Sequence, residues 1–356
     1  MKNKVGANSV RPQQEKKEEI KIGGQALFEG VMMKNSAAGL ETMAVRKKDG
    51  SIHVETKNVP ANRWYQKTLF VRGVFNFIIQ MKNGYSYLMK SMDISGFLDD
   101  EESEATNGEQ KKIVNKTGEA LIGILGMVGG IALAIALFMF VPNFFATSVN
   151  NLVTANLEQF HSLIAGIIRI ILFVAYMWAV SFMKEIRMTY EYHGAEHMTI
   201  AAYEAGETLD PENIENIKKY KRFHPRCGTS FIFLVLAISI IVYSILPLFI
   251  PIRPQQIVEH AGEMGYVIAL WQANLIRTVM QLLFLPVLVA ISYEVIKLAG
   301  KYNKNIFMRA ISAPGLGLQR LTTCVPNDSQ LQIAVTAILP VIPKEEEAQV
   351  IVEGET

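Results

Sequence analysis

Cysteine is nearly absent from this chain: there are two in 356 residues, too few to frame a small secreted domain with disulfides. No sign of charge dominates. Lys and Arg number 35 against 33 Asp and Glu, a formal charge of +2, so no global field draws in nucleic acid and no direct nucleic-acid binding is expected. Charge is itself scarce, at 19% of residues against about 25% in a soluble domain. The deficit is concentrated in a few long uncharged runs, which excludes an ordinary water-soluble enzyme. The start, Met1-Lys2-Asn3-Lys4, runs into polar sequence and has no signal-peptide pattern. There is no internal repeat.

What is present is apolar length. A membrane-crossing helix needs about 20 mostly apolar residues, and four segments qualify. Leu121 to Val141 is uncharged and is expected to end at Pro142; Leu163 to Met183 is broken only by Arg169. Phe231 to Ile250 is uncharged and precedes Pro251, and Leu275 to Ile296 holds Arg277, Pro286 and Glu294. Basic residues orient the four. Nineteen precede the first run, none separates the first from the second, seven lie in Lys184–Gly228, one in Pro251–Asn274 and six from Lys297 onward. Positive charge stays inside, so both termini and the 184–228 connection are expected on the cytoplasmic side.

The expected fold class is an α+β membrane protein: four transmembrane helices, a β-rich cytoplasmic N-terminal domain and a cytoplasmic metal-motif loop. Residues 1–19, rich in Lys, Glu and Gln, read as a disordered tail. Residues 20–62 read as β-rich, with Lys48-Asp49-Gly50 turning a hairpin between Thr42–Arg46 and Ser51–Glu55. Gly23, Gly24 and Gly30 bracket Gln25–Glu29 and point to a bulge or a close backbone approach. Residues 63–98 mix aromatic, aliphatic and basic side chains, as an amphipathic helix does when it lies at the headgroups or packs on the bundle. Residues 99–117 form an acidic linker. Transmembrane helices 1 and 2 occupy 118–183, the loop 184–228, helices 3 and 4 229–299, and a cytoplasmic C-terminal segment 300–356. Within that segment Pro314-Gly315-Leu316-Gly317 reads as a loop, and Ser329–Leu339 as a short helix or strand. Gly126 to Gly130 suits a close helix contact. Arg169, about 10 Å inside the outer boundary at 1.5 Å per residue, and Arg277, near an outer end, are expected to snorkel to lipid phosphate.

Chemistry is carried by His193-Gly194-Ala195-Glu196-His197. On a continuing helix His197 lies about 40° from His193 around the axis and Glu204 about 20°, so all three share a face. H-x-x-E-H is the inverted zincin pattern, two imidazoles for one metal with Glu as general base. His224-Pro225-Arg226-Cys227 follows, and neutral imidazole and thiolate are both good zinc ligands. If His193, His197, His224 and Cys227 all bind, the site is closed and structural. If three bind, a coordination position stays open and Glu196 acquires a role. Glu29 and Glu294 are further carboxylates able to face this loop.

Several stretches together resemble the YqhQ-like family of bacterial polytopic membrane proteins. They are Gly23–Met33, Tyr192–His197, Tyr203-Glu204, His224–Phe231, Tyr293-Glu294 and Pro314–Thr323. The resemblance runs from about Ile20 to Ile342. It implies a polytopic membrane protein of a family of unknown function predicted to be metal-dependent enzymes, and it points to Glu29, His193, Glu196, His197, Glu204, His224 and Cys227. Met198 departs from a common Lys, and Val325 and Gln332 stand where the family pattern has Glu.

Three functions follow from these residues. In the first, a divalent metal, zinc, sits on His193 and His197 with a third ligand from His224, Cys227 or Glu204. Glu196 is then the base, Arg226 stabilises negative charge, and the substrate is a lipid or a membrane-protein segment. The second is a non-catalytic factor in membrane-protein biogenesis or quality control, partnered by that machinery and by membrane lipids, whose metal only fixes the loop. The third is a transporter with Arg169 and Arg277 around an anion path.

Overall fold

The computed structural model describes residues 22–59, 64–97, 116–152, 160–224, 227–302 and 305–342. The disordered tail and the acidic linker expected above, apart from its last residues, lie outside these, as does Arg226. The described residues are mostly helical, and among them are one four-stranded antiparallel sheet near the start and four helices long and apolar enough to cross a membrane.

Strands β1 (Ile22–Leu27), β2 (Gly30–Asn35), β3 (Leu40–Arg46) and β4 (Ile52–Asn58) form a meander in sequence order. Leu27 pairs Gly30, leaving the two-residue turn Phe28-Glu29, and Glu29 takes a positive φ of 49°. The expected β3–β4 hairpin is present. Gly50 supplies a φ of +83°, and the Asp49 carboxylate accepts from the Ser51 amide and hydroxyl. Both faces of the sheet are covered, and the pleat divides them. Val31, Met33 and Ala44 face one core, built with helices α6 (Lys184–Glu204) and α12 (Asp328–Ile338). Leu27, Met32, Met43 and Val45 face α2 (Val71–Ser95) through Tyr87. The sheet therefore shares its core with elements at positions 184–204 and 328–338. Ahead of α2 lies the single turn α1 (Trp64–Lys67).

The first apolar helix does not stop at Pro142. Helix α3 (Lys116–Ile135) passes through a π-helical turn, Ala136–Phe140, into α4 (Val141–Leu152). Pro142 has no N–H for the Phe138 carbonyl four residues back, and the Arg169 Nε donates to that carbonyl at 2.6 Å. Arg169 stands on α5 (His161–Val180), the second apolar helix. The third and fourth are α8 (Gly228–Ile245) and α10 (Leu270–Lys301), with the short α9 (Pro254–Glu263) between them. Pro286 is accommodated inside α10.

Neither arginine snorkels. Arg169 is buried and Arg277 has no exposed surface. Arg277 gives its Nε to Asn143 Oδ1 (3.2 Å), Nη1 to the Ile252 carbonyl (2.7 Å) and Nη2 to Ser162 Oγ (3.1 Å). It thus joins α4, α5 and the stretch before α9. Asn143 also donates to Gln281, and Thr147 to Asn274. The guanidiniums turn inward because polar acceptors await them there, and a buried acceptor left bare costs about 1–3 kcal/mol. Two further expectations are corrected. Pro314 lies inside α11 (Ile306–Thr322), where Gly315 packs so closely on Ser230 that a Cβ there would stand 2.7 Å from the serine side chain. Gly126, Gly129 and Gly130 meet nothing within 4 Å of an added Cβ, so no helix rests on them among the described residues.

Candidate metal centre

The His-x-x-Glu-His segment is helical, as its spacing requires: residues 193–197 sit in the second half of α6. Helix α6 begins at Lys184, shortly after α5 ends at Val180. Cys227 is the N-cap residue of α8, which puts its sulfur at the positive end of a helix. Cys227 thus stands at the near end of an apolar helix, while both histidines lie in the middle of α6, beyond the end of α5.

One donor atom each from His193, His197 and Cys227 lies within 4.8 Å of the others. The His193 Nε2 is 3.2 Å from Cys227 Sγ, and the two imidazole centroids are 4.4 Å apart. His193 Nδ1 lies 2.8 Å from the Thr322 carbonyl and His197 Nδ1 lies 2.6 Å from the Arg222 carbonyl. A carbonyl oxygen only accepts, so each Nδ1 carries the proton and each Nε2 keeps a lone pair. Metal-ligating histidines are oriented in this way by outer partners. His197 and Cys227 are buried. Burial holds the His197 pKa below its ordinary value and the nearby His193 adds to this, while Cys227 and the Arg222 carbonyl oppose it.

The remaining residues surround this trio. His224 stands next to it, its ring 5.6 Å from that of His197, and faces Glu204 across 3.6 Å. Gln319 fixes its backbone, accepting from the His224 amide and donating to its carbonyl, each at 2.8 Å. Glu196 is buried, and that burial raises its pKa against the opposing pull of His193 and His224. Its carboxylate lies on β1: a Cβ at Gly24 would come within 2.7 Å of Glu196 Cγ and Oε1. That contact is the close backbone approach expected of the glycines in this stretch. Glu29 accepts from the Tyr192 hydroxyl at 2.7 Å, tying the β1–β2 turn to α6. Glu294 is engaged elsewhere, in an ion pair with Arg72 on α2.

Sequence reasoning missed the groups that orient the histidines. Thr322 and Arg222 act through backbone carbonyls, which no side-chain pattern reveals. Gly194 was a usable signal. A Cβ there would stand 2.1 Å from the Cys324 carbonyl oxygen, so glycine lets residues 322–324 lie on α6, where the Cys324 amide donates to Tyr190 O at 2.8 Å.

The family described as "Protein of unknown function (DUF1385)" matches residues 69–344. "Uncharacterized protein YqhQ" of Bacillus subtilis (strain 168) is 31% identical over 318 residues, 88% of this chain and 89% of that one. No solved structure matches. Neither name assigns a metal or an activity, so the likeness conveys kinship alone. On the extent of the family match and the identity to YqhQ, the chain belongs to the DUF1385 family and to the YqhQ-like proteins that it resembles.

Proposed function

We propose that this chain is an integral protein of the bacterial cytoplasmic membrane, with both termini cytoplasmic, that holds one zinc ion on His193, His197 and Cys227 and acts as a hydrolase. The observation that carries the reading is the pair of Nδ1–carbonyl contacts, which turn two Nε2 lone pairs toward one thiol. Two imidazoles and a thiolate are a donor set that suits zinc. A bound zinc ion supplies Lewis acidity toward a carbonyl or phosphoryl oxygen.

Three donors cluster among the described residues, and a three-ligand set corresponds to the open form of the site. In that form Glu196 moves the proton, on a carboxylate whose position Gly24 sets. His224, with Glu204 behind it, is a second proton carrier at the rim. The substrate belongs to the membrane, a lipid or a membrane-protein segment. Cys227 immediately precedes the apolar α8, and α6, whose middle carries both histidines, follows the apolar α5 after a short break.

The test is elemental analysis of the purified full-length protein beside complementation of a deletion strain. Wild type should carry about one zinc per chain, His197→Ala and Cys227→Ser none, and Glu196→Gln should keep the metal while failing to complement. Complementation by Glu196→Gln at wild-type level overturns the catalytic reading. The proximity of His224 supports a second reading, a closed structural site with four ligands. It predicts that Glu196→Gln is tolerated and that His224→Ala releases the metal.

A further inference from the structure

Helix α2 changes character along its length. Its second half is a sheet-packing helix: Gly84 lies on Gln25, Tyr87 donates to Glu41, Lys90 pairs with Glu55 and Ser91 accepts from the Phe28 amide. The outward residues there are mixed: Lys82, Ser86 and Asp93 are exposed, and so are Tyr85 and Met89. Its first half and the corner before it are different. Trp64, Leu69, Phe70, Phe75, Ile78 and Met81 are all exposed, from 42% to 74%.

The inward side of that same half rests on two of the apolar helices. A Cβ at Gly73 would meet Ala290 Cα at 3.1 Å and the Tyr293 side chain at 2.8 Å. Asn76 donates to the Tyr293 hydroxyl at 3.0 Å, and Phe77 packs against Phe231 with the rings tilted and centroids 5.8 Å apart. Arg72 and the Phe70 amide both engage Glu294, so the one carboxylate at this level is matched. Phe231 is in the first turn of α8 and Ala290–Glu294 in the last third of α10. The exposed apolar row therefore sits level with the ends of α8 and α10, beside the exposed Ile232 of α8. From Val71 to Lys82 the helix climbs about 16 Å, close to the roughly 15 Å depth of one hydrocarbon leaflet.

We propose that the α1–α2 corner is a wedge embedded in the inner leaflet, its apolar row in contact with acyl chains and Lys82 at the phosphates. Lipid suits this surface better than protein. The row is continuous with the apolar flank of a helix fit to cross the membrane. Lys82 has no ion-pair partner among the described residues. Tyr65 packs back on Phe75, ring centroids 4.6 Å apart, so the corner continues the apolar surface of the row. The wedge also reaches the candidate centre: α2 carries β1 through Gln25 on Gly84, and β1 carries Glu196 through Gly24.

This inference rests on the membrane reading above, not on the metal. Its test uses tryptophan fluorescence of the full chain in phosphatidylcholine–phosphatidylglycerol vesicles whose acyl chains are brominated. Trp178→Phe with Trp271→Phe leaves Trp64 as sole reporter; a second variant keeps only Trp178, and a third places Ser86→Trp in a background with all three native tryptophans changed to Phe. Trp64 emission should fall at least two-fold with brominated lipid and resist acrylamide, while the tryptophan at 86 does the reverse. A Trp64 quenched by acrylamide as readily as that at 86 overturns the wedge, and so does a Trp64 shielded from both quenchers, which would mark a protein partner. Failure of brominated lipid to quench Trp178 overturns the membrane reading itself.

Discussion

Gly194→Ala tests whether the backbone behind the histidines sets metal affinity. Intrinsic propensity alone favours the change, since alanine stabilises a helix interior by about 1 kcal/mol over glycine. The contact reverses the sign. The new Cβ would stand 2.1 Å from the Cys324 carbonyl oxygen, a backbone atom that cannot rotate aside, and must retreat by about 0.9 Å to reach even 3.0 Å. Thr322 is two residues away on the same segment. Transmitted along the bond, that retreat takes the His193 Nδ1–Thr322 contact from 2.8 Å to about 3.7 Å, beyond hydrogen-bond range. Loss of an outer partner of a ligating histidine costs roughly 10–100-fold in metal affinity. Titration of zinc-loaded full-length protein with a competing chelator reads this directly. Gly23→Ala is the control, because an added Cβ there meets nothing within 4 Å. A Gly194→Ala protein that melts earlier yet binds zinc as tightly as wild type would refute the link from carbonyl to ligand. One unchanged in both would refute the packing itself.

Two other perturbations follow from contacts elsewhere in the fold. Arg169→Leu strips the Phe138 carbonyl of its donor and should cost about 1–3 kcal/mol, lowering the melting temperature of the detergent-solubilised protein. In a Pro142→Ala background, where residue 142 regains an N–H, the loss should shrink by about 1 kcal/mol or more, and strict additivity in the double-mutant cycle would contradict the assignment. Hydrogen bonding from Lys90 holds the Glu55 carboxyl below its ordinary pKa against partial burial. Its tie between β4 and α2 is therefore complete above the ordinary carboxylate pKa and is lost as pH falls through the lowered folded value. The site is partly exposed, so the contribution is under about 1 kcal/mol. Acid melts of Glu55→Gln should lack that component of the pH dependence, and identical acid profiles would count against it.

Much of this organisation was legible from residue order because the signals are local. Asp49-Gly50 between alternating runs specifies a turn whatever surrounds it, and four long apolar stretches specify helices by length alone. The His193/His197 pair is likewise fixed by helical spacing. What sequence concealed depends on partners distant along the chain. Pro142 stops a helix unless another donor reaches Phe138 O, and Arg169 is 31 positions away from that carbonyl. Pro314 reads as a break until Gly315 finds Ser230. The two arginines read as snorkelling because nothing local announces that Asn143, Ser162 and the Ile252 carbonyl converge on Arg277. Of the candidate site, the donor side chains were visible, while the carbonyls that orient them belong to the backbone of Arg222 and Thr322 and leave no mark in the side-chain pattern.

The position of the centre bears on whether a metal there is catalytic or structural, because one ion could be both. The donors come from two places, α6 and the N-cap of α8, separated by 30 residues between His197 and Cys227. Drawing such ends together costs chain entropy that grows slowly with length, and a bound ion would hold them against it. The same bond would fix where α8 begins relative to α6, and hence the third apolar helix relative to the second. Two more segments close on the site: β1 through Gly24 against Glu196, and residues 322–324 through Gly194 and His193. A purely structural clasp needs only the donors. It does not need a glycine cleared from a strand to admit a buried carboxylate beside them, and that placement of Glu196 weighs toward chemistry at the site.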